Sequence, residues 1–216
     1  MQVSAQQVKD LAVRFIEKGV VSKQLVVLNQ SINLCHERRL CFVHNPKAMG
    51  TSMKGWLGLR TDDADHQFPT LMVNKDTWED YTTVLVVRNP IDRFLSSFNH
   101  HCRSDYQGGY LTRHPDMKSL EMESYFRRMT QQEPQVLAPQ SKYAVHLLSD
   151  QPIDYIIKMG PPSPDLMRLA ARLGIVDPLP QLNRSSITKP AIRECFIREL
   201  EDYYRGDFEM FGFAHW

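Results

Sequence analysis

Four residues suited to binding an anion lie within one short stretch of the chain, CFVHNPKAMGTSMKGWL at residues 41–57. Lys47 carries a positive charge, and Gly50 would allow the backbone a tight turn. Thr51 and Ser52 offer hydroxyl donors. An apolar run precedes these residues and a segment with helical spacing follows them, so they would stand where a strand passes into a helix.

The start of a helix attracts anions, because its first amides have no backbone acceptor and the helix dipole is positive there. The stretch therefore predicts an anion-binding loop, with an ordinary strand–turn–helix and a solvated lysine as the alternative. The phosphate-loop pattern G-x-x-x-x-G-K-[ST] is not met, since Lys47 precedes Gly50 and the first glycine is missing. A nucleotide kinase is disfavoured for this reason. Asp154 is the candidate for the carboxylate that a kinase uses to bind its metal, but it comes too early in a predicted strand to lie at the carboxyl edge of the sheet.

A second junction of the same kind follows in TTVLVVRNPIDRFLSSF, residues 82–98. The strand is apolar on both faces, as in a parallel sheet that is covered on both sides. Arg88 follows it directly and would lie at the carboxyl edge of the sheet, where open α/β folds bind ligands. Arg88 with a helical serine would form a second anion clamp; alternatively it caps the sheet edge. The polar face of the helix is predicted to carry Arg93, Ser96, Ser97 and His100.

Neither the histidines nor the cysteines form a metal-binding pattern. His100, His101 and Cys102 are adjacent, but neighbouring side chains on a helix point about 100° apart, so they are not expected to share a metal. The four cysteines are irregularly spaced. They are expected to be free thiols in a reducing compartment.

Strands and helices alternate along the chain, which predicts an α/β fold with a central, mainly parallel sheet flanked by helices. The segment from Cys102 to Pro115 is rich in Gly, Asp and His and is expected to be a long functional loop. Strands are predicted in RLCFVHN, FPTLMVN, TTVLVVRN and IDYIIKM, and helices around Val8–Phe15, Met53–Leu57, Ile91–Phe98, Met122–Met129, Ala144–Leu148, Leu166–Leu173 and, last, Ile192–Leu200.

The bulk composition is that of an ordinary globular domain, with 42% hydrophobic and 24% charged residues among 216. The formal net charge of +1 gives no general attraction to a nucleic-acid polymer or a membrane surface. The N-terminal residues do not resemble a signal peptide, and no apolar run approaches the ~20 residues that span a bilayer. These features favour a cytoplasmic location.

The two junctions together resemble the sulfotransferases, most closely the carbohydrate type. FVHNPKAMGTSM is similar to their 5′-phosphosulfate loop. VLVVRNPIDRFLSSF is similar to their 3′-phosphate loop, in which a serine follows the arginine by eight residues, as Ser96 follows Arg88 here. APQSKYAV, IDYIIKMG, LPQLNRSS and YYRGDFEMFGF are weaker likenesses in the same order, and the resemblance spans roughly residues 40–213.

The resemblance implies a P-loop-NTPase-like sulfotransferase fold in one domain, 1–216, with an N-terminal helical extension at 1–38 and a core at 39–213. It implies 3′-phosphoadenosine 5′-phosphosulfate (PAPS) as donor, 3′-phosphoadenosine 5′-phosphate (PAP) as product, and no metal. The acceptor would be a hydroxyl or amine of a glycan or small molecule. A non-catalytic nucleotide-binding module on this fold is the alternative, and the oligomeric state is not indicated.

The resemblance also assigns roles to single residues. Lys47 would meet the bridging oxygen between phosphate and sulfate, and Arg88 and Ser96 would hold the 3′-phosphate. His66 would be the general base, with His100 as the reserve candidate. The 5′-phosphate would be held by Ala48, Met49, Gly50, Thr51 and Ser52.

Three further expectations concern the surroundings of these groups. Asp62, Asp63 and Asp65 could raise the basicity of His66. The family's glycine-rich C-terminal motif is absent, so Arg184, with Ser186 or Lys189 as alternatives, would take its place at the donor nucleotide. Acceptor contacts are expected from the 102–115 loop, namely from Tyr106, Tyr110 and Arg113.

Overall fold

The computed structural model describes residues 31–62, 65–103, 105–160, 163–180 and 191–216. The predicted helix around Val8–Phe15, most of the predicted extension 1–38, and Arg184 with its two alternatives lie outside these ranges. None of the helices within them is long and apolar enough to cross a membrane.

A four-stranded sheet forms the centre of the described structure, with the strands side by side in chain order. The first pair is antiparallel and the other two are parallel, which confirms the predicted α/β class and mainly parallel sheet. Residue pairs such as Val43 with Leu85, and Val87 with Lys158, set the register. The strands are β1 (Leu34–Cys35), β2 (Leu40–Val43), β3 (Thr82–Val87) and β4 (Tyr155–Lys158).

Helices flank this sheet and follow the strands along the chain. Short 3₁₀ turns occur at Met117–Ser119 and Gln140–Tyr143. The helices are α1 (Gly50–Trp56), α2 (Pro69–Met72), α3 (Lys75–Asp80), α4 (Pro90–His101), α5 (Tyr110–Arg113), α6 (Met122–Gln132), α7 (Pro164–Leu173), α8 (Glu194–Tyr203) and α9 (Arg205–Phe211).

The central strands β2 and β3 are buried on both faces, as their uninterrupted apolar sequences predict. Successive side chains of a strand point to opposite faces, and the two faces pack into separate clusters here. One holds Leu40, Phe42, Val84 and Val86 with residues of α1 and α7. The other holds Cys41, Val43, Leu85 and Val87 with residues of α2, α3 and α9.

Local end signals place helix α4 directly after β3. Asn89 accepts hydrogen bonds through Oδ1 from the amides of Ile91 (3.0 Å) and Asp92 (3.3 Å), and Pro90 occupies the first helical position. Both residues suit these positions, because the cap accepts from free amides and proline has no amide to satisfy. The helix therefore begins two residues after Arg88 and holds it at the sheet edge.

The predicted strand FPTLMVN is wrong. Residues 69–72 form helix α2, which Pro69 begins, and β2 pairs directly with β3, so the sheet has no place for a strand between them. Thr70 accepts, through its hydroxyl oxygen, a hydrogen bond from the amide of Leu147 at 2.8 Å. A short apolar run beside a proline is ambiguous between helix and strand, and packing decides.

Two helix predictions also need correction. The segment around Ala144–Leu148 is not an α-helix, since only the 3₁₀ turn Gln140–Tyr143 forms before it. The amide of Leu147 and the ring of His146 are instead hydrogen-bonded to the α2 segment. Helix α8 confirms the predicted helix around Ile192–Leu200, but α9 follows it, so it is not the last.

Candidate active site

The two predicted anion loops lie side by side at the carboxyl edge of the sheet. Strands β2 and β3 are parallel neighbours, so their chains leave the sheet at the same edge. The first loop, residues 44–49, follows Val43 and leads into α1, and Arg88 follows Val87 directly. A ligand at this edge can therefore contact both.

Two residues of the first loop have a left-handed backbone. Lys47 has φ 62° and Met49 has φ 59°. This conformation costs a residue with a Cβ about 1–2 kcal/mol, and such strain tends to occur at functional sites. The tight turn predicted at Gly50 is thus made by its neighbours, since Gly50 does not have a positive φ.

The turn presents a row of backbone amides that find no backbone acceptor among the described residues. Within the part of the chain that the structure describes, the amides of residues 48–51 donate to no other residue's carbonyl. Helix α1 is only seven residues long, so its dipole contributes little beyond these first amides. Thr51 is exposed at the loop and Ser52 is buried behind it. The amides are the feature of this loop best suited to a phosphate.

Gly50 is needed because a histidine ring occupies the space where a side chain would begin. A Cβ built at Gly50 would lie 1.8 Å from His44 Nε2 and 2.1 Å from His44 Cδ2. The ring of His44 is buried, stacked on Phe42 at 5.6 Å between centroids and tilted against His66 at 4.2 Å. His44 thus packs beneath the loop, and its pKa is lowered to about 2, first by burial and then by His66 and Lys54.

Lys47 lies in a cluster of positive charge. Burial is the largest cause that lowers its pKa to about 8, followed by the charges of Arg103 and Arg88. No carboxylate among the described residues forms a salt bridge with Lys47 or Arg88, although Asp92 opposes the lowering of the Arg88 pKa by burial. Cations gathered from three chain segments, two of them without a carboxylate partner among the described residues, create a positive potential that suits an anion.

Arg103 is a member of this cluster that the sequence did not reveal. It stands after α4 and is ion-paired with Asp105, Nε to Oδ1 at 2.8 Å, on an exposed part of the loop. Its charge also lowers the pKa of His100. No pattern marks it, since only folding brings the 102–115 loop beside Lys47.

The predicted polar face of the helix that follows Arg88 is only partly accessible to solvent. Ser96 and His100 are half-buried, one turn apart. Arg93 and Ser97 are buried, so the predicted polar face is not accessible to solvent at these two positions. The Arg93 guanidinium donates to the carbonyl of Ala138 at 2.6 Å, and Ser97 Oγ lies 3.0 Å from the Tyr125 hydroxyl. Ser96 alone of the two serines can face a ligand held by Arg88.

The ring of His66 has a fixed tautomer. Its Nδ1 lies 2.9 Å from the carbonyl oxygen of His44. Because a carbonyl can only accept, Nδ1 carries the proton and Nε2 keeps a lone pair. Burial lowers the His66 pKa, and Lys47 and Lys54 act in the same direction. The hydrogen bond to the His44 carbonyl and the charge of Asp65 raise it, as predicted for Asp65, but they do not outweigh burial. Asp62 is not among the groups that shift this pKa, and Asp63 lies outside the described residues.

Partly buried hydrogen bonds hold the segment that bears His66. Asn33 Nδ2 donates to the backbone carbonyl of Asp65 at 2.7 Å, and the Asp65 carboxylate accepts from the Ser31 hydroxyl. The carbonyl of Asn33 in turn accepts from the amide of Phe42, in β2. The His66 ring is therefore anchored to the same strand that carries the first loop.

His100, the reserve base, has a different environment. Its ring packs edge-on against Tyr106 at 5.2 Å, and burial, Lys47 and Arg103 lower its pKa to about 4. The adjacent His101 is buried with Nδ1 2.7 Å from the Tyr125 hydroxyl. In the described ranges no group of three or more His, Cys, Asp or Glu side chains could hold a metal ion.

The aromatic residues expected to meet an acceptor are largely occupied with one another. Tyr106 is buried against His100 and His101. Arg113 lies over the Tyr110 ring at 5.0 Å and is ion-paired with Glu133 at 2.5 Å. Of these three residues, Tyr110 and Arg113 are partly exposed and could contact an acceptor. Tyr106 is buried and packs inside the loop.

Asp154 lies at the opposite edge of the sheet from the two loops. Its carboxylate accepts from the Thr83 amide at 2.7 Å and the Thr83 hydroxyl at 2.9 Å, near the beginning of β3. It therefore cannot hold a metal beside the phosphate loops, which weighs against the nucleotide kinase alternative.

The family comparison agrees with this arrangement. A model of the sulfotransferase family matches residues 30–145, more than half of the 216-residue chain, and this segment contains both anion loops and His66. No curated protein and no solved structure matches the chain. The chain belongs to the sulfotransferase family.

Proposed function

We propose that the protein transfers the sulfuryl group of PAPS to a hydroxyl or amine of an acceptor, a carbohydrate or a small metabolite. The observation that carries the proposal is the single cationic cluster formed by Lys47 and Arg88 at neighbouring strand exits. A donor with anionic groups at both ends of an adenosine is suited to two such loops. The family match supports sulfuryl transfer in general.

Lys47 neutralises charge on the leaving oxygen. Sulfuryl transfer, like phosphoryl transfer, requires in-line positioning and a cation where negative charge develops. Lys47 retains most of its protonation at pH 7 with a pKa of about 8. The free amides of residues 48–51 and the hydroxyls of Thr51 and Ser52 hold the 5′-phosphate, and Arg88 with Ser96 holds the 3′-phosphate.

His66 removes the acceptor proton through Nε2. The hydrogen bond from Nδ1 to the His44 carbonyl leaves Nε2 as the basic atom, and the lowered pKa keeps the ring neutral at pH 7. The charge of Lys47 lowers the pKa of His66, which supports the assignment of the base and the leaving-group cation to one site. Positioned bases of this kind contribute about 10²–10⁴-fold to rate.

Binding of PAP compared with adenosine 5′-phosphate, measured by calorimetry, tests the donor assignment. Wild-type protein is expected to prefer PAP, and Arg88→Ala is expected to abolish most of that preference, because a charge-assisted contact to the 3′-phosphate is lost. Arg172→Ala, which removes an exposed charge on α7, is the matched control and should leave both affinities unchanged. Equal binding of the two nucleotides by wild type would refute the donor assignment.

Transfer to a panel of sugar and small-molecule hydroxyls and amines tests catalysis. His66→Ala is expected to lower the transfer rate at least about 100-fold, with PAP affinity retained. His100→Ala is the comparison, because it removes the reserve base from the same edge. An unchanged rate in His66→Ala excludes His66 as the base. Binding of PAP without turnover of any acceptor would favour the non-catalytic module.

A further inference from the structure

Gln140 joins the two loops of the site through one side-chain amide. It is fully buried at the start of its 3₁₀ turn. Its Oε1 accepts from Asn45 Nδ2 at 2.8 Å and from the Arg88 amide at 2.9 Å. Its Nε2 donates to the Arg88 carbonyl oxygen at 2.7 Å. The amide thus contacts the first loop through Asn45 and the backbone of the second loop through both polar groups of Arg88.

A buried carboxylate fixes Gln140 from the other side. Asp207, in α9, accepts from the amide of Gln140 at 2.8 Å and from the amide of Ser141 at 2.8 Å. A longer contact of 3.4 Å joins the Gln140 Nε2 to the same carboxylate. Every strong hydrogen-bonding position of the Gln140 amide is therefore used, and the side chain has one favourable orientation.

We propose that Gln140 is a positioning residue that fixes the separation of the Lys47 loop and Arg88, so that one ligand can engage both. The inference rests on the proposed function, since it takes the ligand to be an adenosine with a phosphate at each end. A ligand with two anchored ends gains the full benefit of the second anchor only where the two sites are held at a matching distance. Gln140 itself contacts neither phosphate.

A purely structural amide would have a different signature. Loss of a structural hydrogen bond lowers the stability of the whole fold and leaves the relative affinities of different ligands unchanged. Loss of the loop separation weakens the ligand that spans both loops and spares ligands that occupy one loop. The ratio of these affinities therefore separates positioning from general stability.

The test compares PAP with adenosine 5′-phosphate and adenosine 3′-phosphate by calorimetry on the full chain. Gln140→Met keeps a similar side-chain volume and removes the hydrogen bonds. This substitution is expected to lower the affinity for PAP at least about tenfold, which is about 1.4 kcal/mol of binding free energy. Each monophosphate should change by less than about threefold, since each loop keeps its own anion contacts.

Tyr204→Phe is the matched control, because it removes another fully buried hydrogen bond, to the Leu137 carbonyl at 3.0 Å, without touching either loop. Its melting temperature should fall while the three affinities keep their ratios. If Gln140→Met does not fold, Asn45→Ala removes the connection from Gln140 to the first loop, together with the hydrogen bond from Asn45 to the Val86 carbonyl at 3.2 Å, and should show the same selective loss of PAP affinity.

The outcomes separate this inference from the proposed function. Selective loss of PAP binding in Gln140→Met or Asn45→Ala supports the positioning role. Equal change of all three affinities, or none, overturns it while the PAP preference of wild type still stands. If wild type shows no preference for PAP, the proposed donor is wrong and the positioning role falls with it.

Discussion

Replacing Gly50 by alanine would test the packing beneath the first loop most directly. The new Cβ would lie 1.8 Å from His44 Nε2, so the ring must retreat by about 1.6 Å to reach the 3.4 Å at which ordinary contact begins. The ring has little room, because it is buried between Phe42 and His66. Overpacking of this kind costs about 1–3 kcal/mol.

The displacement should also reach the site. His44 holds His66 through its carbonyl, and their rings are 4.2 Å apart, so movement of the His44 ring shifts the proposed base. In a chain of this size about 1 kcal/mol changes the melting temperature by about 2–4 °C. Gly50→Ala is therefore expected to lower the melting temperature by about 2–12 °C, to weaken PAP binding and to slow transfer.

Gly55 supplies the matched control in the same helix. Its added Cβ would meet only Thr61 Cγ2 at 3.9 Å, an ordinary contact. Gly55→Ala is expected to stabilise the fold by up to about 1 kcal/mol, since alanine has the higher helix propensity. The two alanine substitutions should thus change the melting temperature in opposite directions.

A double substitution identifies the clash. In His44→Ala/Gly50→Ala the ring is absent, so the Gly50→Ala step should cost less than it does alone, with a coupling of about 0.5–3 kcal/mol between neighbouring sites. Calorimetric melting and calorimetric binding of PAP are the measurements. A Gly50→Ala protein with wild-type stability and PAP affinity would refute the described approach of His44 to the loop.

Three predictions concern pH. Nucleotide binding should raise the Lys47 pKa from about 8, so PAP affinity should be constant between about pH 7, above the second pKa of its phosphates, and pH 8. Above pH 8 the affinity should fall by up to about tenfold per pH unit. Lys47→Arg should remove this fall, and an equal slope in both proteins would exclude Lys47. His66 has a pKa below its ordinary 6.5, so kcat should be level through pH 7 and fall only below pH 6.5; a fall beginning above 7 would contradict the neutral base. Burial lowers the pKa of His44 to about 2 and that of His101 to about 3, so both rings contribute their full stabilisation above pH 6.5. By pH 5 the free energy of unfolding, measured with urea, should fall by about 2 kcal/mol for each ring. Unchanged stability would contradict their burial.

The local course of the chain at the site followed from the sequence. The apolar run of β3, the cap at Asn89 and the proline after it all act on near neighbours, and they placed Arg88 at a strand exit as predicted. The parallel arrangement of β2 and β3 followed from strands without polar alternation. Lys47 and Arg88 meeting in one cationic cluster is the consequence of these two facts.

The predictions that were wrong concern segments whose structure depends on packing against residues far away in the chain. FPTLMVN has the composition of a strand, yet β2 and β3 pair directly and leave its residues to form α2. Arg93 and Ser97 look polar and solvated on a helical projection. They are buried because Ala138 and Tyr125, far along the chain, provide carbonyl and hydroxyl partners.

The sequence by itself determined which residues stand at the two strand exits, because periodicity, caps and glycine or proline positions act over a few residues. Only the tertiary structure decided that a side chain at position 50 would clash with the His44 ring, and that Nε2 of His66 keeps its lone pair. It also decided that Gln140 joins two loops that lie 95 and 52 positions away from it in the chain. The physical reason is that burial and hydrogen-bond geometry depend on contacts between distant segments, and these contacts exist only once the sheet and its helices have packed.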